Sequence, residues 1–486
     1  MRRLFSISRC SLCSALSALL LVTLTMPFTS CVRQGFHLDD ASVMSDASPH
    51  DTLLFDASLD APPVDAPPVD LIPADTTDDA PALPPPLIGE LDPSFAQQGQ
   101  LTLQRGTDTN ICTYGLATEA DGTFYIQGRR YTGNGYANFI TARLLADGSL
   151  DENFGSAGYV LEAGSPYSYG YGVVLRPSGG LFLIGDHSGG ATRKDDVLVF
   201  ALLKNGFRDL TFNSTGAVTA DFGNTEDTAQ VAALDSQGRL VVCGIAGYNL
   251  ATANFMLLRF TPDGKTDTEF GVNGRVRLDG GGMAACVGVI ALSNDEIVAV
   301  GHSKATTDVN NNGFFVHLAP DGSSLFSDGS AYRTYPHAGG LALRAVEAAD
   351  DGSLIAVGGF GGTPPSMALL RLDGDGGLVS DFGEGGTLKI NIGGNDSAKA
   401  LSLAPDGRIV IGGSSDREGS KDFAFARVTA AGQLDVSFGQ GGSLVVDFSG
   451  GADSLGAIAH LEDGRLLAMG YTDDGTIKKP AVLRLR

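Results

Sequence analysis

Short apolar runs alternate with glycine-rich polar turns over most of the chain, from about residue 91 to the C terminus. The runs are rich in Val, Ile, Leu and Phe, and many of them end at Asp-Gly or a related turn dipeptide. Apolar positions at helical spacing are scarce. This pattern predicts an all-β chain of short antiparallel strands.

The sequence repeats itself with a period of 56 to 59 residues. One marker is a phenylalanine, which falls at Phe95, Phe154, Phe212, Phe270, Phe326, Phe382 and Phe438. A second marker is a turn dipeptide, which begins at Asp121, Ser178, Gln237, Asn294, Asp351, Asp406 and Asp463. A third marker is the residue that closes an apolar run, at Arg143, Ala201, Arg259, His317, Arg371, Arg427 and Arg484. It is basic in every copy but the second. Three markers with one period predict seven stacked copies of one supersecondary unit.

The sixth copy shows how one unit divides into strands. Its predicted strands are 398–403, 408–412, 423–428 and 443–447. Asp406-Gly407 makes a tight hairpin between the first two, because glycine accepts the positive φ of such a turn, and a longer polar loop precedes the third. Four antiparallel strands form one propeller blade, and seven such blades can close into a ring. The predicted fold is therefore a seven-bladed β-propeller.

The two ends of the repeat region predict how this ring closes. The seventh copy stops at its third strand, which covers residues 481–486. Residues 99–103 are a fourth-strand unit that no blade precedes. We expect residues 100–104 to pair with 482–485 in the last blade, because this pairing removes two open strand edges.

Three features of residues 91–486 resemble the delta-60 repeat family of bacterial β-propeller proteins. They are the LDxxFGxxG phrase, the Asp-Gly turn and the FxxxR run, and the sixth and seventh copies match best. The fifth copy begins with the divergent SSLFSDGSA. The resemblance implies a propeller in a secreted or surface protein, and it assigns no activity to the repeat.

Residues 1–30 have the pattern of a signal peptide. Arginines precede the apolar stretch 16–22, which is shorter than the roughly 20 residues that span a bilayer. Residues 28–31 resemble the lipobox of bacterial lipoproteins, which predicts lipidation of Cys31, with ordinary signal cleavage as the alternative. Val32 stands where that resemblance places an inner-membrane retention aspartate, so we expect the outer membrane or the cell surface.

Residues 31–86 are rich in Asp, Ala and Pro and predict an extended, disordered stalk before the propeller domain at 87–486. The whole chain has a net charge of −23. Residues 91–486 carry 44 acidic and 29 basic groups, a net charge of −15. Such a balance excludes a broad basic face, so we expect no nucleic-acid partner and a membrane contact only through the lipid anchor.

Motifs of catalysis and cofactor binding are missing from the repeat region. It contains no GxSxG, HExxH, P-loop or strand-to-helix GxGxxG, its histidines are dispersed, and its glycines are predicted to serve turns. We therefore expect no enzyme activity, no cofactor and no metal. The stretch from Asp308 to Gly313 begins like a calcium loop, but Ala319 stands where the bidentate glutamate belongs, which favours a polar loop. Cys243 and Cys286 could form a disulfide after export or remain buried thiols.

The recurring basic residues are expected to be structural. Each one can pair with the carboxylate of the Asp-x-x-Phe turn, such as Asp435, and we favour this over a ring that binds an anion. The repeated phenylalanines are expected to fill the space between sheets.

Tyrosines gather in the variable connections that share one end of a propeller, namely the second-to-third loops and the links between blades. They are Tyr131, Tyr136, Tyr167, Tyr169, Tyr171, Tyr248 and Tyr471. Their amphipathic rings suit a peptide or a glycan. The sequence thus favours a monomeric binding or scaffold module for a protein at the cell envelope. The alternatives are a carbohydrate-binding propeller and a metal-dependent hydrolase or lactonase.

Overall fold

The computed structural model describes residues 89–486, except 109, 133–135, 166, 189–194, 223–225, 248–252, 418 and 449. The predicted signal peptide, Cys31, the stalk and Tyr248 lie outside these described residues. Within them, no helix is long and apolar enough to cross a membrane.

The described residues form strands almost throughout. The first fourteen strands are β1 Gln100–Thr102, β2 Ile111–Thr118, β3 Phe124–Tyr131, β4 Ala137–Leu144, β5 Tyr159–Glu162, β6 Tyr167–Leu175, β7 Leu181–Ser188, β8 Asp195–Leu202, β9 Ala217–Ala220, β10 Asp227–Leu234, β11 Leu240–Ala246, β12 Asn254–Phe260, β13 Arg275–Leu278 and β14 Gly282–Ala291. The remaining strands are β15 Ile297–Ala305, β16 Asn312–Leu318, β17 Arg333–Tyr335, β18 Leu341–Ala348, β19 Leu354–Phe360, β20 Ser366–Leu372, β21 Thr387–Ile390, β22 Asn395–Leu403, β23 Ile409–Arg417, β24 Ser420–Val428, β25 Ser443–Val446, β26 Ala452–His460, β27 Leu466–Asp473 and β28 Lys478–Leu485. A 3₁₀ turn covers Phe212–Ser214.

The strands form antiparallel meanders of four. Five separate sheets have the orders β10-β11-β12-β13, β14-β15-β16-β17, β18-β19-β20-β21, β22-β23-β24-β25 and β1-β28-β27-β26. An eight-stranded sheet contains the meanders β2 to β5 and β6 to β9, which a single parallel bridge between Ala137 and Tyr167 connects. The prediction of an all-β propeller of four-stranded antiparallel units is confirmed at this level.

Apolar side chains from consecutive meanders pack face to face. Val241 and Phe255 of one sheet share a buried cluster with Ala284 and Ile297 of the next. Burial of a large apolar side chain such as Phe255 contributes about 2 kcal/mol. The same kind of cluster joins β3, through Phe124, to the last sheet.

The two chain ends meet in one sheet. In β1, Leu101 lies opposite Val482 of β28, so the predicted pairing of these segments is present, although β1 already ends at Thr102. Leu91 also forms an antiparallel bridge with Leu485 of β28. The sheet that contains β26, β27 and β28 thus takes its fourth strand from the beginning of the repeat region.

The recurring basic residues are structural, as predicted. The Nε of Arg259 donates to Asp267 Oδ2 at 2.7 Å, and the guanidinium lies 4.5 Å from the ring centre of Phe270. Arg427 repeats this arrangement with Asp435 at 2.9 Å. In the second copy, where Ala201 replaces the basic residue, Arg176 pairs with Asp209 at 2.7 Å instead. In four copies this pair fixes the third strand to an Asp-x-x-Phe turn, whereas Arg371 and His317 pair with carboxylates at a first-to-second turn.

The sixth unit differs from the prediction in its second connection. Strands β23 and β24 continue to Arg417 and Ser420, which lie opposite each other, so the expected longer polar loop is wrong here. Backbone pairing extends beyond the apolar core because side chains such as Asp416 and Lys421 remain in solvent while their backbones pair.

The disulfide that the sequence left open is present. Cys243 of β11 and Cys286 of β14 are joined, with 5.5 Å between their Cα atoms. It links two successive sheets. The Asp308 segment is a polar loop as expected, since Asn312 Nδ2 donates to Asp308 Oδ2 at 2.8 Å.

Candidate functional site

The first strand of every meander has a β-bulge at the same position. The pairing with the second strand shifts by one residue there, and this leaves one residue of each first strand outside the ladder. The bulged residues are Tyr114, Tyr171, Gln230, Val287, Arg344, Lys399 and Gly456.

Glycine faces each bulge from the second strand. A Cβ atom at Gly301 would lie 1.8 Å from the carbonyl oxygen of Ala285, a distance that no side chain tolerates. Equivalent glycines, each with a carbonyl oxygen of the first strand within 2.0 Å of the Cβ position, are Gly128, Gly185, Gly244, Gly358, Gly413 and Gly470. The expectation that the glycines of the repeat region serve turns is therefore wrong for these seven. Their recurrence at the same place in each second strand, after an apolar pair in five copies, was the available signal.

All seven bulged residues line one cavity of about 290 Å³. The residues that follow each bulge complete its wall, and they are mostly small or apolar, such as Val231, Val289 and Ala400. The structure thus brings together seven positions that are at least 55 residues apart in sequence. We call this cavity the central channel.

Arg344 brings a positive charge into the central channel. Among the described residues, none forms an ion pair with it, and its buried Nε has no hydrogen-bond partner. Burial lowers the pKa of Arg344 to about 10, so the guanidinium is charged at neutral pH. Glu347, further along β18, accepts a hydrogen bond from the backbone N–H of Leu403 at 2.9 Å, and burial raises its pKa to about 7.

Lys399, on the neighbouring first strand β22, is the second cation of the channel. Its Nζ donates to the carbonyl oxygen of Leu455 at 2.8 Å and lies 5.8 Å from the ring centre of Tyr114. Burial, together with the positive charge of Arg344, lowers the pKa of Lys399 to about 7. Gly456 stands at the bulge between Lys399 and Tyr114 and has no side chain to fill that space.

Arg129 lies at the end of β3, surrounded by aromatic rings. The centres of four tyrosine rings lie within 5.2 to 5.7 Å of its guanidinium carbon, and these are Tyr114, Tyr131, Tyr169 and Tyr171. Burial alone would lower the pKa of Arg129, but the oxygens of Tyr114 and Tyr171 and the carboxylate of Asp186 raise it above its usual range. Unlike Arg344, this cation therefore has compensating partners.

The predicted tyrosines divide into two groups. Tyr169 and Tyr471 are buried, and Tyr131 and Tyr171 are half-buried, so these four belong to the packing around Arg129 and the channel. Tyr136 is 39 % exposed, and its ring meets that of Tyr167 edge to face at 5.3 Å. Of the predicted tyrosines that the structure describes, Tyr136 alone is exposed, and Tyr167 beside it is half-buried.

Sequence reasoning missed Arg344, Lys399 and Tyr114 as site residues. Each lies inside an ordinary strand pattern. The available signal was variation: six residue types occur at the bulge position of the seven copies, whereas the glycine opposite it repeats.

Two acidic triads occupy equivalent places at two junctions between meanders. They are Asp196, Asp221 and Asp227, and Asp422, Asp447 and Asp453, and in each triad oxygen atoms lie within 4.8 Å of one another. Oxygens at this spacing could bind a hard cation such as Ca²⁺. Burial raises the pKa of Asp453 to about 6, and the nearby Asp447 and Asp422 add to this effect.

Two segments of the chain, residues 119–154 and 404–438, match a β-propeller domain family of unknown function, DUF5122. No curated protein sequence matches the chain. Solved structures that resemble it include virginiamycin B lyase from Staphylococcus aureus, with a TM-score of 0.46 at 10% identity over 79% of this chain and 98% of that one. An ulvan lyase has a TM-score of 0.48 at 10% identity over 78% and 95%. The β-propeller domain of the Trilobed protease from Pyrococcus furiosus has a TM-score of 0.43 at 7% identity over 78% and 94%.

Proposed function

We propose that the protein is an exported binding module: a closed ring of seven blades that is held at the cell envelope and receives a ligand in its central channel. Export begins at the signal peptide of residues 1–30. Lipidated Cys31 anchors the chain to the outer membrane or cell surface, and the stalk of residues 31–86 holds the monomeric propeller away from the lipid.

The observation that carries the binding function is the composition of the bulge ring. In seven equivalent structural positions the chain has Tyr, Tyr, Gln, Val, Arg, Lys and Gly. The glycines opposite them are the same in every copy because the backbone requires them. A position that the fold leaves free and whose residue type varies among the copies is available for recognition, and here all seven such positions converge on one cavity.

Ring closure is supported by contacts between the first and last sheets. Thr113 of β2 donates its hydroxyl to the carbonyl oxygen of Gly470 in β27. Tyr114 and Tyr471 have ring centres 6.0 Å apart. A cavity wall that draws on all seven first strands fits the same closed arrangement.

A protein partner would meet the end of the propeller that carries the second-to-third loops. The pair of exposed Tyr136 and half-buried Tyr167 lies there, and two adjacent amphipathic rings suit a peptide surface. The test is capture from an envelope extract by the full chain and by the double variant Tyr136→Ser/Tyr167→Ser. The matched control is Phe207→Ser, because Phe207 is 62 % exposed in a third-to-fourth connection, at the opposite end.

We expect a captured protein to be lost with the tyrosine variant and kept with the Phe207 variant. Equal capture by all three forms would exclude this aromatic pair as the partner surface. Loss with the Phe207 variant alone would move the partner to the other end of the propeller.

Anchoring is tested separately. Cys31→Ser should move the protein from the membrane fraction to the soluble exported fraction and should abolish incorporation of labelled fatty acid. Retention of the Cys31→Ser protein in the membrane would contradict the lipid anchor. The Cys243–Cys286 disulfide supports export, since such bonds persist in oxidising compartments.

A further inference from the structure

We propose that the central channel binds a small organic carboxylate, whose charged group lies between Arg344 and Lys399. The inference rests on the proposed role of the channel as the ligand site, and it names the class of ligand.

The first step of the argument is charge. Arg344 and Lys399 are bulged residues of adjacent first strands, and both line the channel. Within the described part of the chain, neither forms an ion pair. The chain as a whole has a net charge of −23, so acidic side chains are abundant, yet none of the described ones forms an ion pair with these two cations. The two cations therefore lack an acidic partner because of the arrangement of the channel, and not because the chain is short of acidic residues.

The second step is hydrogen bonding. The Nε of Arg344 is buried and has no acceptor, and Lys399 has a single carbonyl acceptor for its three protons. His302 adds no further positive charge, because burial and the charge of Arg344 lower its pKa to about 3 and keep it neutral. Buried donors are normally satisfied, so several donors are left for an anionic ligand.

The third step separates a carboxylate from an inorganic anion. A guanidinium fork matches the two oxygens of a carboxylate, and an ammonium on the adjacent strand can reach the same group. Apart from Gln230 and the two tyrosines, the rest of the wall consists of apolar residues and glycines, with Val231, Val287 and Val346 among them. An inorganic phosphate would leave this wall uncovered, whereas a carboxylate attached to an apolar or aromatic body would cover it. The half-buried rings of Tyr114 and Tyr171 suit an aromatic body.

The test uses purified full chain and isothermal titration calorimetry with benzoate, hexanoate, benzamide and inorganic phosphate. We expect benzoate and hexanoate to bind with one site, and benzamide, which has the same body without the charge, to bind at least about tenfold more weakly. A peptide that ends in a free phenylalanine carboxylate, compared with its amide, shows whether the carboxylate comes from a free acid or from a chain end.

Arg344→Met and Lys399→Met remove one charge each and nearly keep the side-chain length. Each should weaken benzoate binding about tenfold or more, while Lys389→Met, which removes an exposed lysine of β21, should leave it unchanged. The Met variants should also melt at a higher temperature than the parent in the absence of ligand, because each removes a buried charge that lacks a partner. The melting temperature therefore also shows whether each Met variant is folded.

Three results would overturn the inference. Benzamide and benzoate could bind equally well, in which case the channel binds ligands but does not select a carboxylate, and the proposed binding function stands. Phosphate alone could bind, which would replace the carboxylate by an inorganic anion. No ligand could bind while the Met variants melt at a lower temperature, which would make Arg344 and Lys399 structural and remove the channel from the proposed function as well.

Discussion

Arg484 Nε donates a hydrogen bond to Asp92 Oδ2 at 2.8 Å, although the two residues are 392 positions apart. Asp92 precedes β1, and Arg484 lies in β28. The same carboxylate oxygen accepts a bond from Arg465 Nη1 at 2.9 Å. Asp92 and Arg484 are 5% and 3% exposed. The pair therefore holds the two ends of the repeat region together inside the protein.

Replacement of Asp92 by Asn should destabilise the fold by about 3 kcal/mol, because it leaves the buried Arg484 without its counter-charge. Thermal or urea unfolding measures this loss. Asp463→Asn is the control, since that carboxylate is about half exposed and its replacement should destabilise the fold much less.

Deletion of residues 481–486 removes both Arg484 and the partner strand of β1, and it should abolish cooperative unfolding. A truncated protein that unfolds like the parent would argue against a closed ring.

Acid should weaken the same pair. Burial works to raise the pKa of Asp92, but hydrogen bonds from Ser94 and Arg465 and the charge of Arg484 hold it well below the ordinary value of 3.8. The stability that ionised Asp92 contributes is thus present above pH 3.8 and is lost as the pH falls towards its folded-state pKa. The stability difference between parent and Asp92→Asn should therefore shrink below that pH. A constant difference from pH 7 to pH 3 would show that Asp92 is not ionised in the pair.

The glycine opposite each bulge provides a test of the channel architecture. Gly301→Ala should destabilise the protein by about 3 kcal/mol or more, because its Cβ would lie 1.8 Å from the carbonyl oxygen of Ala285 and the backbone must move. Gly464→Ala is the control: its φ is +84°, but nothing lies within 4 Å of its Cβ position. We expect about 1 to 2 kcal/mol there, from conformation alone. Chemical denaturation compares the two, and equal losses would contradict the close approach at the bulge.

Removal of the disulfide should lower the stability without changing the fold. Cys243 and Cys286 close a segment of 43 residues, so Cys243→Ser/Cys286→Ser should cost about 2 to 4 kcal/mol. Thiols of the denatured exported protein are titrated with and without reductant, and reduction should increase the number of free thiols by two more in the parent than in the double variant. If the increase is the same in both proteins, the bond does not form in the exported protein.

Lys399 should make stability depend on pH. In the folded protein, burial and the charge of Arg344 lower the pKa of Lys399 to about 7 from 10.5, with smaller effects of Lys421 and Arg129. Between these two values the unfolded chain binds a proton that the folded chain does not, so this residue makes stability rise with pH. The advantage of Lys399→Met over the parent should be largest at pH 6 and smallest near pH 10. Benzoate should also bind more weakly above pH 7, where Lys399 loses its charge.

Much of the fold could be predicted from local signals. The spacing of Phe438 and its equivalents gave the repeat, and the Asp-Gly turns gave the strands within it. The structural role of Arg427 followed from the same period, because a residue that recurs with a carboxylate and an aromatic at fixed offsets can meet them wherever the three occur together. These features depend on neighbours within one unit.

The candidate site could not be predicted in the same way. Tyr169 and Tyr471 occur next to variable connections, yet their strands continue past these positions and bury the rings between sheets. In the sequence, Arg344 and Lys399 look like any polar residue on a strand, and only the β-bulge places them outside the ladder. The bulge arises from the pairing of two strands, so the sequence of one strand does not reveal it.

The sequence by itself determined the repeat, the strand pattern within each unit and the pairing of the first strand with the last, because these follow from short-range periodicity and from the need to satisfy strand edges. Only the tertiary structure decided which residues share the channel, which tyrosines remain exposed and whether Cys243 and Cys286 join. Those relationships connect residues of different units, so they depend on the bulges and on the packing of one sheet against the next.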